Sequence, residues 1–171
     1  MGTRSILVLG VGNILMSDEG SGVYAVRTLE ATYSFSSNVS FLDGGTLGMR
    51  LLHPISLAYS LIVADTAILG KAPGTISRLT MDDIRMRTVL KNSMHQISFS
   101  ETLTMAEMMG ILPATTIITI EPVDIETMSV ELTPVITGKM NSFCEILLSE
   151  ILASGGTYKS RNHVLNKAGS F

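Results

Sequence analysis

The sequence is poor in the residues that staple, stack or bind polyanions. It has one cysteine, Cys144, so no internal disulfide can form, and no Cys-x-x-Cys pair is present to build a zinc ribbon. A reducing, cytoplasmic setting fits that usage. Tryptophan is absent and aromatics make up only 5% of the chain. Charged residues reach 16%, against about 25% in typical soluble domains. Twelve Lys+Arg stand against fifteen Asp+Glu, a formal charge of -3, and the basic residues form no run. Nucleic acid is thereby excluded as an expected partner, for want of a basic footprint. The most apolar segment, residues 55–64, is too short to span a bilayer and is stopped by Asp65, so no membrane partner is expected. The first residues lead directly into a strand-like run, without the pattern of a secretory signal, and Ile6 stands where a myristoylation motif wants Ser or Thr.

What is present suffices for one domain. The chain has 171 residues, 46% of them hydrophobic, and at that length about two thirds of the unfolded surface can be buried. Residues 5–9 (SILVL) form an apolar run ending at Gly10, after which Val23, Val26 and Leu29 recur at helical spacing. Residues 39–42 read as a second strand, ending at Asp43-Gly44-Gly45, and a helix through Leu47, Leu51 and Leu52 is expected to stop before Pro54. Residues 61–64 are a third apolar strand, ending at Asp65. Residues 75–79 alternate and read as an edge strand; the charged stretch 82–87 after them fits no pattern. Ser98 and Glu101 form a capping box for a helix through Leu103, Ala106 and Met109, which Gly110 and Pro113 end. Residues 115–120 are the last strand, and Thr133-Pro134 opens a long amphipathic helix carrying Phe143, Leu147 and Ile151.

Apolar strands alternating with helices predict an α/β fold, a single-domain three-layer sandwich with a mostly parallel five-stranded twisted sheet and helices on both faces. The domain is expected to span residues 1–154. Residues 155–171, aperiodic and basic through Lys159, Arg161 and Lys167, read as a disordered tail, with contact to an acidic partner as the other reading. No coiled-coil repeat appears, so a monomer is expected.

In an open parallel sheet, ligands bind outside the carboxyl ends of the strands. Acids stand at three such ends: Asp18-Glu19 after the first strand, Asp43 after the second and Asp65 after the third. If Ser17 or Asp18 caps the first helix, Glu19 falls in its first turn, where the helix dipole favours an ionised carboxylate. Gly10-Val11-Gly12, with Asp43 as a ribose-binding acid, is the start of a dinucleotide fingerprint. Leu15 takes the third glycine's place, however, and two negative charges at that helix start oppose a pyrophosphate. His53 reads as a helix-end residue and His163 as part of the tail, whereas His95 stands in a polar loop as either a solvated residue or a ligand. Two carboxylates and an imidazole suit a borderline divalent cation. Cys144 lies in an apolar helical stripe and reads as a buried small hydrophobe. Met105, Met108 and Met109 read as core or semi-buried positions, with an adaptable peptide-binding surface as the other option.

Taken in order, these blocks resemble the hydrogenase maturation endopeptidases, which trim the C-terminus of the nickel-iron hydrogenase large subunit. The matching segments are residues 6–22 (ILVLGVGNILMSDEGSG), Leu42-Asp43-Gly44-Gly45-Thr46, residues 61–65 (LIVAD), His95-Gln96, Glu121-Pro122 and Leu132-Thr133-Pro134. The resemblance implies that Glu19, Asp65 and His95 bind a metal and carry the catalysis. It implies no permanently bound cofactor: nickel already inserted in the partner, a large-subunit precursor, is what the three ligands recognise. Asp43 and Asp18 would assist as base or as acceptors behind the ligands. Gly44 and Gly45 would admit the substrate backbone, although a tight turn alone also accounts for them. A non-proteolytic nickel-sensing chaperone of the precursor would use the same ligands.

Overall fold

The structure is a computed structural model and describes residues 4–90 and 99–161, with side chains at all of these except 87–90. Strand β1 (Ile6–Val11) leads through a 3-10 turn at Ser17–Gly20 into helix α1 (Ser21–Thr32), followed by β2 (Tyr33–Phe35) and β3 (Val39–Gly45). A second 3-10 turn at Gly48–Leu51 runs into α2 (Leu52–Ser56), then β4 (Ser60–Thr66), β5 (Ile76–Leu79), α3 (Met81–Leu90) and α4 (Phe99–Met108). Strand β6 (Ala114–Ile120), the long α5 (Pro134–Ala153) and β7 (Tyr158–Ser160) complete the chain.

The main sheet has the order β3-β1-β4-β6-β5, parallel except for the antiparallel pairing of β5 with β6. Alternate residues of each strand enter two cores. Ile6, Val8 and Ile62 face α1 and α5, meeting Val26, Leu29, Phe143 and Leu147. Leu7, Leu9 and Val63 face α2 and α4, meeting Ile55, Leu103 and Ala106. Burial of the central strands on both faces is why they read as unbroken apolar runs. This is the α/β sandwich with a mostly parallel five-stranded sheet that the sequence predicts. No described helix is long and apolar enough to cross a membrane.

Local details differ from expectation in four places. Pro54 lies inside α2 instead of ending a helix before it, because the first turn of a helix has no use for the missing N–H. The charged stretch 82–87 falls in α3, where Arg85 pairs with Asp82 on the same helix and with Glu107 on α4. Met105, Met108 and Met109 are exposed instead of core, since α4 turns Thr102, Leu103 and Ala106 inward. Finally, residues 155–161 are ordered: Tyr158–Ser160 pairs antiparallel with Tyr33–Phe35, and Tyr158 packs edge-on against Tyr33 with ring centroids 5.2 Å apart. The tail expectation is corrected to that extent, since aromatic burial and strand pairing offset the cost of ordering these residues. Residues 162–171, with His163 and Lys167, lie outside the described residues.

Candidate active site

Sheet order makes neighbours of the strands that carry the acids. With β1 between β3 and β4, Gly10 is level with Asp43 on one side and Ala64 on the other, and Asp65 stands one residue higher. Side chains of directly opposed residues share a face and alternate along a strand. Asp43 therefore projects with Ala64 toward α1, while Asp65 projects toward the α4 side.

Glu19 reaches the edge on the 3-10 turn between β1 and α1. Gly12 permits that turn. Its φ is +128°, and a Cβ placed on it would lie 1.8 Å from the Glu19 carbonyl oxygen. The turn also corrects the capping expectation. Gly20 is the N-cap of α1, neither Ser17 nor Asp18 caps it through a side chain, and Glu19 precedes the helix.

The Glu19 carboxyl is held above the ordinary carboxylate range by desolvation. Asp65 behaves likewise and more strongly. Its residue surface is partly accessible but its carboxyl is buried, which pushes it up to about 7. The Thr66 N–H, donating to Oδ1 at 2.7 Å, acts the other way, and the charge of Glu19 adds to the rise. The structure thus brings Glu19 and Asp65 together as an acidic pair.

Asp43 stands apart from that pair. Arg27 of α1 donates to its Oδ2 through Nη2 at 2.6 Å and Nε at 3.0 Å. This ion pair forms part of the wall of a cavity of about 290 Å³ between the 12–15 loop and Gly45-Thr46. Gly45 lines the cavity, with φ +43° and no atom closer than 3.7 Å to a built Cβ. Gly44 faces inward, and a Cβ there would lie 2.7 Å from Leu9 Cδ1, so its smallness serves the core. Of the two glycines, only Gly45 is open to a ligand.

Asp18, the neighbour of Glu19, is fully buried and has a different task. Its Oδ2 accepts the N–H groups of Val123 and Asp124 and the Thr133 hydroxyl, and its Oδ1 accepts the Thr133 N–H, all between 2.8 and 3.1 Å. Its backbone carbonyl accepts the Thr66 hydroxyl at 2.8 Å. Asp18 therefore locks the Glu19 turn to the end of β4 and to the loop before α5. The Thr133 hydroxyl is engaged here instead of capping α5. Glu121 performs a similar service after β6, accepting the N–H groups of Leu69 and Gly70 at 2.8 and 3.1 Å. Nothing in residue type or spacing distinguishes these clamping carboxylates from ligands.

Among the described residues, no group of three or more His, Cys, Asp and Glu side chains is placed to hold a metal. His95, with Gln96 and the Ser98 of the expected capping box, lies outside the described residues. The flanking helices are described. The Arg85–Glu107 pair sets the middle of α3 beside the end of α4. Because β6 runs parallel to β4, α4 must descend from the carboxyl edge, so Phe99 lies toward that edge. His53 is exposed on α2. Cys144 is buried, its thiol pushed up to about 11 mainly by desolvation, in keeping with a packing role.

Comparison with known proteins identifies the family and the fold. The family model described as HycI, hydrogenase maturation protease, matches residues 23–150. The hydrogenase 2 maturation protease of Escherichia coli K12 is 36% identical over 152 residues, covering 88% of this chain and 92% of its own. The hydrogenase expression/formation protein HupD of Thiocapsa roseopersicina is 39% identical over 158 residues, covering 91% of this chain and 71% of its own. Among solved structures, the hydrogenase maturating endopeptidase HybD from E. coli superposes with a TM-score of 0.83 at 34% identity, covering 92% of this chain and 98% of that one. Sequence and fold agree over most of both chains, and the protein belongs to the hydrogenase maturation protease family.

Proposed function

We propose that this endopeptidase removes the C-terminal extension of a nickel-iron hydrogenase large-subunit precursor, and that Glu19, Asp65 and His95 recognise nickel carried by that substrate. The observation that carries the reading is the Glu19–Asp65 pair at the carboxyl edge, where each acid is desolvated and Glu19 raises Asp65 further. Such a pair is poised for a cation and costly without one. The start of α4 toward that edge, at Phe99, supports His95 as the third ligand, and no resident cofactor is called for.

The chemistry follows from the charges. Docking replaces the proton on Asp65 with the cation, so binding releases that proton. The scissile peptide then lies beside a positive charge that polarises its carbonyl, and water adds to the carbonyl carbon. The C–N bond breaks and the departing nitrogen takes a proton. Gly45 and the cavity beside it admit the substrate backbone. The Arg27 guanidinium engages Asp43, so Asp43 holds the cavity wall before it serves as a base.

The test is a mass measurement on nickel-loaded precursor incubated with the protein. The wild type should release a C-terminal peptide, and Glu19→Gln, Asp65→Asn and His95→Ala should each leave the precursor whole. Normal processing by all three variants would remove the ligand assignment. A stable complex with uncut precursor in the wild type would instead indicate a chaperone.

A further inference from the structure

Two buried side-chain oxygens, Thr102 Oγ1 and Thr119 Oγ1, have no hydrogen-bond partner among the described residues. Both lie on the α4 side of the sheet toward its carboxyl edge, Thr102 at the start of α4 and Thr119 next to the last residue of β6. A buried hydroxyl without a partner costs free energy and calls for an explanation.

Strand register supplies one for Thr119. It is directly opposite Asp65 on β4 and Ser77 on β5. Directly opposed residues project to the same face. Val63, Ile117 and Leu79, each two positions away along its strand, belong to one core cluster, which identifies that face as the α4 side. A polar row, Ser77, Thr119, Asp65, therefore crosses three strands. At its outer end, Lys71 Nζ donates to Ser77 Oγ at 2.7 Å. At its inner end, Asp65 Oδ1 accepts the Thr66 N–H, and a carboxylate offers about four acceptor sites.

We propose that Thr119 is a positioning residue for Asp65, its hydroxyl donating to the Asp65 carboxyl group as that group holds the incoming cation. The inference rests on the ligand role given to Asp65 above, and adds a residue that touches neither metal nor peptide. Lys71 already donates to the Ser77 oxygen, and the Thr119 hydroxyl, without a partner among the described residues, has its proton left for Asp65. The row orients Asp65 from behind and leaves its outer side to the cation.

Thr119→Val keeps the side-chain shape and removes the hydroxyl, whereas Thr119→Ser keeps the hydroxyl. The valine variant should melt at or above the wild-type temperature, since it sheds an unsatisfied group. It should nevertheless process nickel-loaded precursor with kcat/KM lowered about 10-fold or more, the loss expected for one hydrogen bond to a charged group, and serine should restore most of the rate. An amide NMR titration with Ni2+ alone reads the site without turnover; binding should weaken about 10-fold in the valine variant and not in the serine one. If the wild type leaves the precursor whole while the valine variant still loses Ni2+ affinity, the endopeptidase reading fails and the Thr119 assignment stands. Equal Ni2+ affinity in wild type and valine variant overturns the assignment, whatever processing shows.

Discussion

The Asp18 carboxylate grips Thr133 twice, taking its backbone N–H on Oδ1 at 2.8 Å and its hydroxyl on Oδ2 at 2.9 Å. The grip joins the loop that carries Glu19 to the start of the longest helix. It is made in full burial, where a lost acceptor is not replaced by water.

Asp18→Asn should therefore be costly despite its equal size. An amide presents a donor to one edge of the site, so at least one of the three backbone N–H groups loses its partner. A loss of about 2–4 kcal/mol is expected, read as a lower urea midpoint at unchanged slope. An unchanged midpoint would mean that Asp18 does not bear this load.

Asp65→Asn should make the protein more stable, with a definite pH dependence. The Asp65 carboxyl rises from 3.8 to about 7 on folding, so the native state binds the proton more tightly than the unfolded chain. Stability is accordingly lost as pH climbs from about 4 to about 7 and stays lower above that range. The asparagine variant escapes this loss. Its Tm advantage should be near zero at pH 4, grow up to pH 7 and then level off. A constant advantage across that range would contradict the buried-acid account.

The same proton should govern substrate docking. Below pH 7 the cation must displace it from Asp65, whereas above pH 7 the carboxylate is already free. KM for nickel-loaded precursor should fall by up to about 10-fold per pH unit below 7 and flatten above it. A flat KM from pH 5.5 to 8.5 would show that Asp65 does not exchange a proton for the metal.

Tyr158→Ala tests the ordered C-terminal strand. Its ring meets Tyr33 and Phe35 at centroid distances of 5.2 and 6.0 Å. Removal should cost about 2 kcal/mol in a denaturant titration and leave processing by the folded protein unchanged. A neutral effect would show that β7 adds little to the fold.

The central strands of the main sheet were legible because burial on both faces leaves a local trace, runs such as those at Leu7–Leu9 and Leu61–Val63, and the edge strand β5 because its burial alternates. Thr133-Pro134 likewise marked the start of α5, through the proline in its first turn, although the Thr133 hydroxyl serves Asp18 instead of the helix. Strands β2 and β7 left no such trace. Each has three residues, and their pairing joins Tyr33 to Ser160 across nearly the whole chain. Helix α3 was hidden by its charges, of which Arg85 finds a partner on α4 as well as Asp82 on its own helix. At the site, the acids could be found but not sorted. Asp18 and Glu19 are adjacent and of like charge, and only the four donors converging on Asp18 separate a clamp from a ligand. Thr119 was invisible because its meaning lies in the register of β6 against two neighbours.

The parallel pairing of β1 with β4 also bears on when the protein can act. Parallel neighbours need a long crossover, whose closure entropy must be met before the contacts between them repay it. Glu19 and Asp65 thus stay apart until β1 and β4 have paired, and the cation site proposed for them comes into being only with that pairing. On that proposal, a chain whose β1 and β4 have not yet met has no site with which to recognise the metal its substrate carries.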